Sequence, residues 1–358
     1  MFLAYFLFSF LLSCITTFFV IVLMRKMAIF DKAKKQSRKI HKKNIPLGGG
    51  LAIFISVFLL IFSLLLSKSH FFYIDILPRQ ILGLFIGSII IMIGGFLDDK
   101  YDLRPRYQIL FPILASLSII FFGIGPHFIT NPFGLGTIDL SRFTFKIFNF
   151  GNFVLLADLL VFVWLMLMMY ATKFLDGLDG LASGVSFIGS IVIFFLSLQD
   201  KWYQPDVAML AIIFAGACLG FLLWNWSPAK IFLGEGGSIF LGFFLGVLAI
   251  ISGGKIATTM LVMAIPILDI FRVIIIRWKK GQAIYKGDNE HIHHKLLKIG
   301  FSQKQTVLIL FFFSFLCGMG ALFFQTGGKV LTFIFLSIVM LMILFFSSVK
   351  NKKYEFKK

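Results

Sequence analysis

Four short motifs set carboxylates beside glycine or histidine: Gly94-Gly95-Phe96-Leu97-Asp98-Asp99, Asp176-Gly177-Leu178-Asp179-Gly180, Gly234-Glu235-Gly236-Gly237-Ser238 and Asp288-Asn289-Glu290-His291-Ile292-His293-His294. Carboxylates are hard donors for a divalent cation, and glycine lets a phosphate or a second backbone come close. Asp98 and Asp99 are adjacent, so on a helix their side chains point about 100° apart and cannot share one ligand direction. One is expected to face a metal or reacting phosphate while the other orients a neighbouring cation. Two acids at a helix C-terminus also oppose its dipole and need compensation. Asp176 and Asp179 share a face if their segment is helical. Glu235 opens an apolar helix whose free amides suit an anion, while its carboxylate suits a hard cation. His291, His293 and His294 could suggest zinc. However, no cysteine is near, and Arg277, Lys279, Lys280, Lys286 and Lys295 would repel zinc and suit a diphosphate. A second basic stretch, Arg38-Lys39-Ile40-His41 running to Gly48-Gly49-Gly50, has the same character. A lipid-headgroup patch is its competing reading.

The elements that must position these residues are membrane helices. The 358 residues are 59% hydrophobic and 14% charged, with a mean hydropathy of +0.96. That composition excludes an ordinary soluble domain. Eleven apolar spans are expected at about 2–24, 47–67, 80–97, 107–125, 152–172, 181–198, 206–224, 237–253, 256–276, 305–325 and 329–348. The fold class is therefore an all-α integral membrane protein, a polytopic bundle of about ten or eleven helices. Residues 1–348 form one domain and 349–358 a basic cytoplasmic tail. The first segment reads as a retained helix, because it lacks a basic start and a small-residue cleavage site. Cys14, Cys218 and Cys317 all lie in apolar runs and read as core residues, not as disulfide or metal partners. The pieces 137–140 and 143–146 are expected to pair as one short hairpin outside the bilayer.

Charge gives the orientation. Of 34 lysines and arginines, 26 fall in one alternating set of loops and the tail. The positive-inside rule puts that set in the cytoplasm and the N-terminus outside. All four acidic motifs fall on the cytoplasmic side, although the charge count uses none of them. The formal charge of +18 thus reflects cytoplasmic loops and not nucleic-acid binding. A transporter would place its ionisable groups near the midplane, whereas these gather at one face. A scaffolding protein would leave the glycine–acid motifs without a reason. Together the parts fit transfer of a phosphorylated group by positioning and charge neutralisation. A lipid phosphate and a cytosolic nucleotide are the substrate classes that such a membrane face can serve.

The stretches 38–54, 94–106, 173–184, 225–242 and 266–305, taken in order, resemble the polyprenyl-phosphate N-acetylhexosamine-1-phosphate transferase family. The similarity is closer to its WecA/TagO-like branch than to MraY. The resemblance implies transfer of a sugar 1-phosphate, such as GlcNAc-1-phosphate, from a UDP-sugar to undecaprenyl phosphate. The products would be a polyprenyl diphosphate sugar and UMP, the first step of a cell-envelope glycan. An MraY-like transfer of a muramyl-pentapeptide phosphate is the runner-up. The implied cofactor is Mg²⁺, with Mn²⁺ as a second candidate. The implied location is the bacterial cytoplasmic membrane, with the site facing the cytoplasm and a homodimer as one admissible assembly. By position, Asp98, Asp99, Asp176 and Asp179 take the catalytic places, and Glu235, Asp176 and Asp179 the metal. Lys173, Arg277, His291, His293, His294, Arg38 and His41 take the substrate. Three residues depart from the family pattern: Lys173 stands where Asn is common, Glu235 where Asp is usual, and Gln108 where Lys is usual. An ammonium is a poor Mg²⁺ ligand, so Lys173 is expected on phosphate.

Overall fold

The computed structural model describes residues 1–31, 44–67, 76–126, 128–130, 136–140, 144–146, 152–253, 256–281 and 291–324, with short stretches up to 342. The chain is an all-α, multi-pass membrane protein. Its long helices are α1 (Phe2–Lys26), α2 (Gly49–Leu66), α3 (Pro78–Tyr101), α6 (Leu155–Leu175), α8 (Pro205–Asn225), α9 (Gly234–Ile251) and α13 (Gln303–Phe323). Between them lie α4 (Pro105–Gln108), α5 (Leu110–Phe121), α7 (Leu181–Ser197), α10 (Ile256–Val262), α11 (Ala264–Lys279) and α12 (Ile292–Ile299). Proline at the first turn starts α3, α4 and α8, where its fixed φ is helical and its missing N–H costs nothing. A reciprocal Ser302–Gln305 capping box starts α13.

Seven helices among the described residues are long and apolar enough to cross a membrane, or eight if α10 and α11 form one span broken by a 78° bend. Eleven were expected. Pro105–Phe121 and Leu181–Ser197 are shorter apolar helices. At 1.5 Å per residue, 17 residues reach only about 25 Å. The expected span at 329–348 and the tail lie largely outside the described residues. The loop strands also differ from expectation. β3 (Phe128–Thr130) pairs antiparallel with β4 (Thr137–Asp139), and β5 (Thr144–Lys146) with β6 (Asn152–Val154). The two pieces expected to pair with each other thus each take a different partner, because both β4 and β5 find a strand beyond the segment that joins them.

α9 lies at the centre, almost wholly buried, against α6, α3 and α2. Its first turn has no side chains in the way. A Cβ on Gly50 would stand 2.0 Å from the Gly237 Cα, and one on Gly95 would stand 2.1 Å from the Gly236 Cα. These two crossings are backbone on backbone, the close approach that small residues permit in membrane bundles. α1 packs along α8 in a similar way, with Ser9 donating to the Ile213 carbonyl at 2.6 Å and Ser13 to that of Ala217 at 2.7 Å. The segment before α9 is stitched to α2: Gly49 and Gly50 donate to the carbonyls of Phe232 and Leu233 at 2.9 Å. A two-residue ladder, β1 (Phe30–Asp31) with β2 (Ile45–Pro46), closes the same end. As a result the C-terminal ends of α1, α3 and α6 and the N-terminal ends of α2, α7 and α9 meet at one face.

Candidate active site

A cleft of about 1120 Å³ opens at that face, lined by Asp99, Lys173, Asp176, Asp179, Glu235 and His294 among others. The two adjacent aspartates divide as helix geometry requires. Asp99 lines the cleft. Asp98 turns away, and its Oδ1 accepts from the Leu103 amide at 2.9 Å and from Gln108 Nε2 at 2.8 Å. These donors supply the compensation that a carboxylate at a helix C-terminus needs. Gln108 Oε1 in turn accepts from Lys173 Nζ at 3.4 Å, so Asp98 does orient a cation, through one intermediary.

The N-terminus of α9 receives a carboxyl group, that of Asp99. The Glu235 amide donates to Asp99 Oδ1 at 3.0 Å. Gly234 makes this possible in two ways. Its φ is +76°, and a Cβ there would stand 2.3 Å from Asp99 Oδ2. Glu235 itself forms an ion pair with Lys173 from the last turn of α6.

Asp176 and Asp179 are not on a helix. α6 ends at Leu175, Asp176 is its C-cap, and 177–180 form a turn closed by Gly180 at φ +80°. The condition for a shared helix face is therefore not met, because Gly177 and Gly180 favour a turn over continued helix. Both carboxylates still line the cleft. Asp179 Oδ2 accepts from the Ala229 amide at 3.1 Å. The Asp176 carboxyl is held well above the usual carboxylate range, first by burial and then by the charges of Glu235, Asp99 and Asp179.

The histidines divide too. His294 lines the cleft, while His291 and His293 are buried behind it. The rings of His291 and His293 are parallel at 5.7 Å, and Phe174 stacks on His291 at 5.5 Å. Burial and the neighbouring His294 and His291 push His293 down to about 3, so it stays neutral. A Cβ on Gly177 would lie 2.4 Å from His293 Nε2, which explains a glycine at that point of the turn. Arg277 is buried in the last turn of α11 and does not line the cleft. Arg38, His41, Asp288 and Glu290 lie outside the described residues.

Two residues with clear positioning roles escaped the sequence reading. Asp269 on α11 accepts from His291 Nδ1 at 2.8 Å and from the Ile292 amide at 3.1 Å, and Arg272 grips its Oδ1 at 2.7 Å. It thus caps α12 and fixes the histidine segment in one contact. Asn225, at the end of α8, accepts from the Gly180 amide at 2.9 Å and donates to the Ile231 carbonyl at 2.8 Å. The available signal was a polar residue inside an apolar run. A smaller apolar recess of about 260 Å³, walled by Met24, Leu51, Phe96 and Gly237, shares Asp99 with the cleft.

The donor set fits a hard divalent cation. All five carboxyl groups that line the cleft, those of Asp31, Asp99, Asp176, Asp179 and Glu235, offer oxygen, and their crowding calls for positive charge. Among the described residues no three His, Cys, Asp or Glu side chains form a ready metal cage. Mg²⁺ takes one or two carboxylates and completes its shell with water and phosphate, so it does not need such a cage.

A fold of apolar helices whose ends bring carboxylates, an ammonium and imidazoles to one membrane-face cleft defines a membrane-embedded transferase class. The sequence profile of glycosyl transferase family 4 matches residues 81–253. The chain is 30% identical to decaprenyl-phosphate N-acetylglucosaminephosphotransferase of Mycolicibacterium smegmatis, covering 88% of this chain and 82% of the relative. It is 29% identical to the probable undecaprenyl-phosphate N-acetylglucosaminyl 1-phosphate transferase of Bacillus subtilis, over 94% of this chain and 89% of the relative. It is 27% identical to undecaprenyl-phosphate alpha-N-acetylglucosaminyl 1-phosphate transferase of Escherichia coli, over 87% and 81%. The chain belongs to glycosyl transferase family 4.

Proposed function

We propose that this protein transfers an N-acetylhexosamine 1-phosphate, GlcNAc-1-phosphate in the first instance, from a UDP-sugar to polyprenyl phosphate. The observation that carries this reading is the convergence of Asp99, Asp176, Asp179, Glu235 and Lys173 in one cleft that meets an apolar recess at Asp99. A substrate with a phosphate head and an apolar body matches that junction. The names of the relatives support the same chemistry.

An oxygen of the lipid phosphate attacks the sugar-bearing phosphorus of the UDP-sugar. The bond from that phosphorus to the bridging oxygen breaks, and the oxygen leaves with UMP. A phosphate monoester is largely dianionic near neutral pH, its second pKa being about 6. Little is then gained by removing a proton, and the work of the site is alignment and charge neutralisation. Asp176 and Glu235, with Asp179, would hold Mg²⁺, which supplies neutralisation of the diphosphate. Asp99, anchored by the Glu235 amide, sets the spacing between the ends of α3 and α9. Lys173 and His294 face the cleft and offer donors to phosphate oxygens. Asp179 ties the turn to the 227–230 segment through the Ala229 amide. The positive-inside count supports a cytoplasmic face, and the bacterial relatives support the inner membrane.

The test is a transfer assay on detergent-purified protein. Undecaprenyl phosphate, Mg²⁺ and a panel of UDP-sugars are supplied, and UMP and lipid product are followed together. Lipid product with one sugar, lost on adding EDTA, is the expected result. No product across the panel, from protein with a sharp unfolding transition, would overturn the reading.

A further inference from the structure

Lys173 lies directly against Glu235, one of the carboxylates that line the cleft. Its ammonium forms an ion pair with Glu235 Oε1, and both side chains are about one-fifth exposed (21% and 18%). The same Nζ reaches Gln108 Oε1 at 3.4 Å, and Gln108 is locked to Asp98 and to the Leu103 carbonyl at 2.9 Å. The Tyr170 ring lies 5.6 Å from the ammonium on its own helix. α4 and α9 therefore meet on one primary amine carried by α6, and α3 reaches it through Gln108. The carboxylate cluster already contains a cation, and it is covalently part of the protein. Its stem has four carbons, so it can exchange partners within the cleft without backbone movement.

We propose that Lys173 is the resident counter-ion of the carboxylate cluster and competes with a divalent cation for Glu235. In the substrate-free protein the ammonium holds the carboxylate, and metal binds weakly. A diphosphate offers the ammonium another anion and the metal further oxygens, so metal binding is coupled to the nucleotide. The nucleotide part rests on the transferase reading above. The competition for Glu235 does not.

The experiment measures Mn²⁺ binding to the full-length protein in detergent, by electron paramagnetic resonance of free Mn²⁺, without lipid or sugar nucleotide. Wild type is expected to bind weakly. Lys173→Met should bind at least tenfold more tightly, and Lys173→Arg should stay like wild type. Adding Glu235→Gln to Lys173→Met should return binding to the wild-type level. UDP, as the diphosphate probe, should tighten Mn²⁺ binding to wild type more than to Lys173→Met. The proposal is overturned if Lys173→Met binds no more tightly than wild type, or if Lys173→Arg behaves like Lys173→Met. Lys173→Gln, which also lacks the charge, takes the place of the Met variant if that one has no cooperative unfolding transition. Failure of the transfer assay with this binding pattern intact would remove the transferase reading and leave the counter-ion in place.

Discussion

Replacing Gly177 by alanine puts a methyl group where the His293 ring stands. The new Cβ would be 2.4 Å from Nε2, 2.9 Å from Cε1 and 3.2 Å from Cδ2. Ordinary carbon contacts begin near 3.5 Å, so the ring must retreat by about 1 Å. It has little room. His293 is buried, its ring lies parallel to that of His291, and the His294 ring is 4.3 Å away. His291 is itself pinned by Asp269. Gly177 does not have a positive φ, so alanine meets no backbone strain and the clash is isolated. Overpacking of this kind costs about 1–3 kcal/mol. The displacement passes to His294 on the cleft wall, and a shift of about 1 Å in a positioning group can cost roughly a hundredfold in rate. Gly177→Ala is therefore expected to lower the unfolding midpoint in detergent and to cut transfer turnover by about two orders of magnitude. Adding His293→Ala should restore most of the stability, because the ring that clashes is gone. Wild-type stability and turnover in Gly177→Ala would refute the reasoning, as would a double variant less stable than both single ones.

Asp176→Asn should raise the stability of metal-free protein by about 1–2 kcal/mol, since an amide needs no proton to stay neutral when buried beside Glu235, Asp99 and Asp179. It should abolish transfer, and chemical unfolding beside the transfer assay reads both. Asp99→Asn should lower turnover at least a hundredfold at pH 8.5 as well as at pH 7, because its role is positioning; wild-type turnover at pH 8.5 would restore a simple base role. His293 titrates near 6.5 when unfolded and is pushed down to about 3 when folded, so below pH 6.5 the unfolded chain binds the extra proton. Its contribution to stability is complete above pH 6.5 and is lost as pH falls toward 3. Unfolding midpoints measured from pH 7.5 to 4.5 should fall, and less steeply in His293→Asn.

The helix ends that carry the acidic motifs were legible in the sequence, because apolar length and charge bias locate membrane helices well. The division of labour between Asp98 and Asp99 was legible from the helical repeat alone. The Asp176–Asp179 spacing leaves helix and turn open, since spacing by three is equally served by a turn when glycine follows each acid. The one hairpin expected over 137–146 gives way to two others because strand partners depend on contacts across the loop, not on propensity. Asp269 was passed over. It is one acid among apolar residues, and its partners His291 and Ile292 lie 22 and 23 residues away. The link from Asp98 through Gln108 and Lys173 to Glu235 joins four elements, and no local pattern reports such a junction.

The glycine crossings at Gly50–Gly237 and Gly95–Gly236 have a consequence for how such a protein can change. A joint of main chain on main chain has no rotamers and one setting. Glu235 is next to that joint and Asp99 is bonded to the same turn. The width of the acidic pocket is therefore cut by the scaffold, like the jaw of a fixed spanner. Widening it by replacing Gly50, Gly95 or Gly237 would force two helices apart before it altered the chemistry. The open route to a new preference is to exchange the side chains inside an unchanged frame. Gln108, Lys173 and Glu235 stand at the positions where such an exchange is available.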